Sequence, residues 1–433
     1  MNGSSAPAGI AGDRTRSREE TALNPAERTV LLLVPLAVAG AEVAGLFVAG
    51  SVPPHRALNP FYNNIFLTGA AGFIALCLLR RRDLPAFLLL GTAIEVARLL
   101  VARVLHVPFG TSLMASGLGY WLAALAIESL HLVQASGRRR AVAFDRLLTQ
   151  FALPAGIALT FFGNSLVRNL TPVTFDAYLY AFDGLFPVPA AQLLADWCRG
   201  DPVASLVLGL TYHSLFGMFG ALLLLERHFD NHAGKFAARV MLVGLVGFFL
   251  YFIVPGVGPD VAFHARHGAA LPDPSRIELA PMPMSPEQPR NAMPSLHKTY
   301  AFVILIVAAG FGAGWFVLAG LFAAGTVLAT LGLREHYLVD LVVAIPLALA
   351  SCWFLGAFDH AEALRRSWLR RAAIAAAMAL GWLACVRFGT GALRGAPWVA
   401  SALVLATLAM AAWIGVPPVR KKLRASYAVP DAA

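Results

Sequence analysis

The chain has 433 residues, of which 58% are hydrophobic and only 13% are charged, and its mean hydropathy is +0.68. A soluble protein of this length carries far more charge, so the composition excludes that class and predicts an all-α polytopic membrane protein. The formal net charge of +10 does not indicate a nucleic-acid partner, because the basic residues stand just beyond apolar segments and no groove-facing or base-stacking pattern accompanies them.

The apolar segments predict twelve transmembrane helices, at about 20 residues for each span. Residues 1–28, rich in Gly, Ala, Ser and Arg, are predicted to form a disordered cytoplasmic tail before the first of them. The predicted spans lie near 29–50, 63–79, 84–105, 111–134, 147–167, 203–225, 237–255, 295–314, 316–333, 336–357, 372–388 and 397–416.

Runs of basic residues between the spans predict the orientation of the chain. With the N-terminus in the cytoplasm, every run falls on the cytoplasmic side, and an even number of spans returns the C-terminus to that side. We therefore expect an integral inner-membrane protein with both termini in the cytoplasm. The runs are Arg80-Arg81-Arg82, Arg138-Arg139-Arg140, Arg365-Arg366, Arg370-Arg371 and Lys421-Lys422.

Two long loops are predicted on the outer side, at about 168–202 and 256–293. In the first, the stretch 175–180 has the pattern of an amphipathic segment at the interface. Asp176 and Asp183 in this loop either contact a polar headgroup or have a structural role. The second loop is crowded with proline, so it must lie in water or against protein.

Two short motifs carry chemistry, at 291–300 and 334–346. Pro294 suits the first turn of a helix, so His297 is predicted to lie in that turn, at the outer end of a span. His336 and Asp340 are four residues apart and share one face of another helix, also at its outer start. Two helix N-termini meeting at one point would bind a phosphate. Asp340 would orient His336 as a nucleophile, and His297 would serve as the acid and base.

These residues resemble a known family of lipid enzymes. Pro294-Ser295-Leu296-His297 and His336-Tyr337-Leu338-Val339-Asp340 are similar to the motifs of the type 2 phosphatidic acid phosphatase superfamily. The sequence is most similar to its inositol phosphorylceramide synthase and sphingomyelin synthase branch, which the turn at 255–259 also resembles. The resemblance covers about 147–358 and implies a six-helix core with an extracytoplasmic site, a phosphohistidine on the second histidine and no cofactor.

The resemblance divides the chain into a tail at 1–28, an N-terminal four-helix region at 29–140, a catalytic core at 141–358 and a C-terminal two-helix region with a basic tail at 359–433. The phosphatases of the superfamily carry a Lys-x6-Arg-Pro motif and a Ser-Arg pair before the nucleophile. This chain has no such lysine motif, and Ala329-Thr330 occupy the positions of the pair. The predicted substrate-binding residues are Ser295 and the candidate phosphate partners Arg290, Lys298 and Arg334.

Several alternatives stay open. The expected partners are membrane lipids, with a phospholipid as donor and a lipid or polyol hydroxyl as acceptor, but plain hydrolysis of a lipid phosphate needs the same residues. Two histidines and a carboxylate also suit a metal triad, and only the resemblance favours a metal-free reaction. A lipid transporter would need broken helices at mid-membrane in two related halves, which the pattern does not favour. The first four spans are also compatible with a scaffold for a partner protein.

Overall fold

A computed structural model describes residues 22–49, 65–104, 117–162, 165–229, 234–267, 271–285 and 287–415. Most of the predicted N-terminal tail and the basic tail with Lys421-Lys422 lie outside these ranges. The described chain is almost wholly helical, which confirms the all-α prediction. The first helix begins at Pro25, and Glu27 within it is fully buried, so the end of the predicted disordered tail is ordered.

The N-terminal helices are α1 (Pro25–Ala49), α2 (Ile65–Leu78), α3 (Leu84–Val104), α4 (Gly117–Gln134), α5 (Gly137–Phe162) and α6 (Ser165–Leu170). The central helices are α7 (Asp176–Asp183), α8 (Ala190–Gly200), α9 (Pro202–His213), α10 (Leu215–Phe229), α11 (Lys235–Leu250) and α12 (Pro259–His267). They are followed by α13 (Leu296–Ala308), α14 (Ala313–Gly332), α15 (Leu338–Ala357), α16 (Glu362–Ala384), α17 (Thr390–Leu393) and α18 (Pro397–Gly415). A two-residue strand β1 (Val173–Thr174) pairs antiparallel with β2 (Met282–Pro283) and joins the two outer loops.

Fewer helices than the predicted twelve have the length and composition of a complete span. Within the described ranges five helices meet that test, and a sixth does if α9 and α10, bent by 45°, form one span. Helix α13 has 13 residues, about 20 Å at the rise of an α-helix, whereas the apolar layer of a bilayer is about 30 Å thick. The full count of twelve therefore stays a prediction. The segments that meet the test are Arg81–Val101, Ala313–Gly332, Leu338–Ala357, Glu362–Leu393 and Pro397–Gly415.

The helices before and after the predicted core pack against it. Helix α1 lies against α5 and α11, and α2 lies against α10, so both share the central apolar cluster. The predicted boundary at residue 140 falls inside α5. At the other end, α16 packs along α15. Beyond it, Arg387 donates a hydrogen bond to the Ile253 carbonyl in the turn after α11, and Arg394 donates one to the Ile277 carbonyl in the loop at 256–293. The flanking helices therefore help to hold the segments that surround the site.

Helix α7 is buried, which corrects the prediction of an amphipathic segment at the interface. Seven of its eight residues are buried, including Asp176 and Asp183 at its two ends. Leu179 and Phe182 belong to a second apolar cluster that also contains residues of α15 and α16. The apolar side chains therefore face other helices rather than lipid.

Candidate active site

Two histidines that are distant in the sequence line one small cavity of about 30 Å³. His297 lies in the first turn of α13, and His336 lies two residues before α15 begins. A cavity of this volume has room for about one water molecule. The other lining residues are Tyr212, Tyr251, Asn291, Leu296 and Glu335. The structure therefore brings together the two histidines that the sequence predicts as a catalytic pair.

An aromatic stack holds the ring of His297. The ring of Tyr212, in the last turn of α9, lies parallel to it, with 4.0 Å between the ring centroids and 14° between the planes. The chain bends at Ser214, whose hydroxyl donates a hydrogen bond of 2.8 Å to the Thr211 carbonyl. This break presents Tyr212 to the cavity, and the stack fixes the plane of the imidazole.

Ser295 begins the helix that carries His297. Its hydroxyl accepts a hydrogen bond from the Lys298 amide at 3.4 Å, and its carbonyl accepts one from the Thr299 hydroxyl at 2.8 Å. A serine at this position satisfies an amide that the first helical turn leaves unpaired. The predicted substrate-binding residue Ser295 thus caps the helix, and it does not line the cavity.

A tight turn after α14 positions His336. The Thr330 carbonyl accepts hydrogen bonds from the amides of Glu335 at 3.1 Å and His336 at 3.3 Å. Arg334 within the turn has a φ of 59°, a left-handed conformation that is uncommon for a residue other than glycine. Gly258, with a φ of 92°, packs so close that a Cβ there would collide with the Glu335 carbonyl.

The Nδ1 atom of His336 has two oxygen neighbours. The Ala292 carbonyl is 2.9 Å away, and the nearer oxygen of Asp340 is 3.4 Å away. A carbonyl oxygen only accepts hydrogen bonds, so Nδ1 carries the proton and the lone pair is on Nε2. Burial lowers the pKa of His336 to about 4, while the neighbouring Glu335 acts in the opposite direction. The imidazole is therefore neutral near pH 7, with one nitrogen available as a nucleophile.

The N-terminus of α15 is occupied by two carboxylates of the protein. Asp340 accepts a hydrogen bond of 2.9 Å from the Tyr337 amide. Asp183 accepts hydrogen bonds from the amides of Leu338 and Val339 at 2.8 and 3.3 Å. The sequence predicts that this helix end binds phosphate, and the structure contradicts that prediction because these amides are already paired.

Asp176 joins three segments beneath the site. Its carboxylate accepts hydrogen bonds from the amides of Val257 and Gly258 at 3.0 and 3.1 Å and from the Tyr337 hydroxyl at 2.7 Å. The turn at 255–259 is thereby tied to the residue that follows His336. Asp176 and Asp183 are both buried, so they have a structural role rather than contact with a polar headgroup.

Arg290 organises the outer loop. It is fully buried, and its guanidinium donates to the carbonyls of four loop residues. The distances are 3.3 Å to Thr171, 2.7 Å to Gln288, 3.1 Å to Met284 and 3.2 Å to Ser285. With its donors used in this way and its side chain away from the cavity, Arg290 is not placed to contact a phosphate there.

Lys298 and Arg334 also point away from the cavity. The Lys298 ammonium donates to the Ala323 carbonyl of α14 and lies 4.7 Å from the centre of the Phe302 ring. The Arg334 guanidinium lies 3.6 Å from the carboxylate of Asp196, a residue of α8 that is about half exposed. Among the residues that line the cavity none is lysine or arginine. A lysine or arginine side chain that contacts a phosphate here must therefore move into the cavity.

Five lining residues were not predicted as site residues: Tyr212, Tyr251, Asn291, Leu296 and Glu335. Glu335 has the clearest signal in the sequence, since it directly precedes His336. Burial raises the pKa of its carboxyl, and the neighbouring His336 opposes that shift. Tyr212 lies 85 residues before His297, and no local pattern in the sequence brings the two rings together.

Within the described ranges no three side chains of His, Cys, Asp or Glu are grouped so that they could hold a metal ion. The Nδ1 of His336 is directed at a carbonyl rather than into the cavity. The residues in place thus do not form the metal triad that the sequence leaves open.

Comparison with known proteins supports the coarse part of the resemblance. Residues 177–354 match a family model described as the PAP2 superfamily, a range of about two fifths of the chain that contains His297, His336 and Asp340. This match supports the type 2 phosphatidic acid phosphatase superfamily and does not distinguish its branches. Comparisons with curated proteins and with solved structures found no match.

Proposed function

We propose that this protein is a membrane enzyme that breaks and forms phosphoester bonds of lipids through a phosphohistidine on His336. The observation that carries the proposal is the convergence of His297 and His336 on one cavity, with the Nδ1 proton of His336 directed at the Ala292 carbonyl. Nε2 is then free to attack a phosphorus atom. The PAP2-superfamily match over 177–354 supports an activity of the lipid phosphatase or phosphotransferase type.

The reaction runs in two steps. Nε2 of His336 forms a bond to phosphorus while the bond to the leaving oxygen breaks, and His297 gives that oxygen a proton. In the second step His297 takes a proton from an incoming hydroxyl. The hydroxyl oxygen bonds to phosphorus, and the bond between phosphorus and His336 breaks. Asp340, 3.4 Å from Nδ1, stabilises the positive charge that the imidazole acquires.

Arg334 is the cation that we propose for the phosphate. One of its partners, Asp196, is about half exposed and is shared with Arg199 at 2.6 Å, so this ion pair holds Arg334 weakly. Arg290 is itself fully buried and is held by four loop carbonyls, so it would lose far more free energy by moving. The left-handed backbone of Arg334, two residues before His336, is further support, because such conformations cluster at functional sites.

Transfer to a hydroxyl of a lipid or polyol is the first choice, as the resemblance to inositol phosphorylceramide synthase implies. Hydrolysis of a phosphatidate or polyprenyl phosphate is the second, since it differs only in the molecule that attacks the phosphohistidine. We place the site on the extracytoplasmic side, with both termini in the cytoplasm, on the strength of the basic runs.

One experiment tests the proposal directly. The purified protein is incubated with a phospholipid labelled in its headgroup phosphate, with and without a hydroxyl acceptor, and the products are separated by thin-layer chromatography. Label that moves to the acceptor indicates transfer, and label released to water indicates hydrolysis. His336→Ala protein is the control and must release none. Labelled product that the control forms equally well would refute the proposed chemistry.

A further inference from the structure

Glu335 lines the cavity of the two histidines with a carboxylate that has no partner in the described part of the chain. It directly precedes His336, and it is exposed whereas His336 is buried, so it lies at the mouth of the cavity. No hydrogen bond or ion pair joins its carboxylate to another residue that the structure describes. The carboxylate is therefore available to act on a molecule that enters the cavity.

The other carboxylates around the site have structural partners. Asp176, Asp183 and Asp340 are buried, and each accepts hydrogen bonds from backbone amides, the shortest being 3.0, 2.8 and 2.9 Å. These bonds hold turns and helix ends in place. Glu335 is exposed and makes no such bond, so a structural role does not account for its carboxylate.

The backbone of Glu335 is fixed on both sides. Its amide donates a hydrogen bond of 3.1 Å to the Thr330 carbonyl. Its own carbonyl packs so closely on Gly258 that a Cβ at that glycine would collide with it. The tight turn therefore starts the Glu335 side chain at a defined position beside His336.

The cavity presents this negative charge to a phosphate, and its walls supply no lysine or arginine. With a volume of about 30 Å³ it has room for about one water molecule, and a phosphate group is larger. A phosphate between the two histidines therefore contacts the lining side chains directly. Arg334, the cation proposed for the phosphate, offsets one negative charge and leaves a second one facing Glu335.

Phosphate esters differ in the number of charges that they bring. A phosphomonoester carries about two negative charges near neutral pH, and a phosphodiester carries about one. With an effective dielectric constant of about 20, a second negative charge roughly 6 Å from a carboxylate weakens binding on the order of a hundredfold. We propose that Glu335 determines substrate specificity by excluding phosphomonoesters, which restricts the donor to lipid phosphodiesters.

This role of Glu335 rests on the proposed function and narrows it. A phospholipid with a headgroup is a phosphodiester, whereas phosphatidate and polyprenyl phosphate are phosphomonoesters. Exclusion of the doubly charged esters therefore selects transfer from a phospholipid over hydrolysis of a lipid phosphate.

The test uses two small esters with the same leaving group, nitrophenyl phosphate and its methyl ester, which differ by one charge. The full chain is purified in detergent, and the second-order rate constant for the first release of nitrophenolate is measured at about pH 8, where Glu335 is ionised. In Glu335→Gln protein the ratio of the diester rate constant to the monoester rate constant should fall on the order of 10²-fold, chiefly because the monoester reacts faster. Comparison of the ratio between proteins cancels the intrinsic reactivity of each ester.

Glu362→Gln is the matched control. Glu362 lies beyond the far end of α15, where Arg365 and Arg366 are within 3.5 Å, and it does not line the cavity. The same charge is removed, and the ratio should not change. An equal fall in both variants would show an effect of net charge and overturn the proposal.

The outcomes separate this proposal from the proposed function. Wild-type protein that releases no nitrophenolate from either ester would refute the proposed function itself. An active wild type whose ratio is unchanged in Glu335→Gln protein would overturn only the role of Glu335. A large loss on the diester in that variant would also overturn it, because Glu335 would then take part in the chemistry. A gain on the monoester supports the proposal, since loss of a merely structural contact does not create activity.

Discussion

The Nδ1 atom of His336 lies closer to the Ala292 carbonyl, at 2.9 Å, than to the Asp340 carboxylate, at 3.4 Å. The carbonyl therefore fixes which nitrogen carries the proton, and the carboxylate adds negative charge beside it. Ala292 is in turn held by a hydrogen bond of 2.9 Å from its amide to the Gly256 carbonyl. The tautomer of the proposed nucleophile thus depends on the turn at 255–259 as well as on the motif that contains the histidine.

Because the Ala292 carbonyl fixes the tautomer and Asp340 adds only charge, Asp340→Asn should lower the rate moderately. The amide oxygen can still accept from Tyr337, and Ala292 still holds Nδ1, so only the charge is lost. We expect phosphoenzyme formation to slow on the order of 10²-fold. The rate is measured in a rapid-quench experiment with labelled substrate. A loss of about 10⁴-fold would instead mean that Asp340 alone fixes the tautomer.

The pH dependence of phosphoenzyme formation follows from the burial of His336. Its neutral form is the nucleophile, and burial lowers its pKa to about 4. The rate should therefore stay level as the pH falls from 8 to about 5 and decline only near pH 4. A phosphodiester with a nitrophenolate leaving group is the suitable substrate, because it does not titrate in this range. A midpoint near the ordinary value of about 6.5 would show that His336 is open to water before substrate binds.

Replacement of Arg334 and of Arg290 should have different effects. Arg334→Gln should lower turnover on the order of 10²-fold, because Arg334 is proposed to meet the phosphate. Arg199→Gln removes the other arginine beside Asp196 and should leave turnover unchanged. Full activity of Arg334→Gln protein would exclude it as the phosphate partner.

Arg290→Gln should act on stability instead. The buried guanidinium donates to four loop carbonyls, and its loss should reduce the free energy of unfolding by at least about 3 kcal/mol. Thermal unfolding followed by circular dichroism measures the change. An unchanged melting temperature together with a large loss of turnover would indicate that Arg290 contacts the phosphate in the active site.

The sequence predicts the parts of the site that depend on local patterns. The structure confirms His297 in the first turn of a helix and places both histidines on one cavity. That helix begins at Leu296 with Ser295 as its cap, so Pro294 precedes it. His336 also precedes its helix, which begins at Leu338, so the prediction that it shares a helix face with Asp340 is wrong, although the two side chains lie 3.4 Å apart. The all-α fold follows from the apolar composition. These inferences need only short stretches of chain.

Contacts between distant segments were not predictable in the same way. The amides at the start of α15 are bound by Asp183, 155 residues earlier, so no local rule shows that this helix end is unavailable to phosphate. Arg290 resembles a phosphate ligand in the sequence because its carbonyl partners, such as Thr171, become neighbours only when the outer loops fold together. The burial of α7 likewise depends on α15 and α16, whereas its own sequence has the alternation of an interfacial segment.

The orientation of the chain can be tested with two conservative replacements. Ser275 in the outer loop and Ser136 between α4 and α5 are both exposed. In a background where the partly buried Cys385 is serine, Ser275→Cys should react with an impermeant thiol reagent in intact cells, and Ser136→Cys should react only after lysis. The reverse labelling pattern would put the histidine cavity on the cytoplasmic side.

The roles of the two histidines can be separated by the choice of leaving group. A lipid alkoxide needs a proton from His297 as it leaves, whereas a nitrophenolate leaves without one. His297→Ala protein should therefore be inactive on lipid substrates yet form a phosphoenzyme from a nitrophenyl substrate. It should then stall, because no base remains to activate the incoming hydroxyl. His336→Ala protein should form no phosphoenzyme from either substrate.

The stack between Tyr212 and His297 supplies a matched pair of variants for the same assay. Tyr212→Phe keeps an aromatic ring at 4.0 Å and should retain most of the turnover on lipid substrates. Tyr212→Ala frees the imidazole to rotate and should slow the lipid reaction about tenfold or more, while phosphoenzyme formation from the nitrophenyl substrate stays unchanged. Trapped phosphate that is labile in acid and stable in base identifies the phosphohistidine. Its appearance on His336→Ala protein and its absence from His297→Ala protein would show that His297 is the nucleophile and His336 the acid and base.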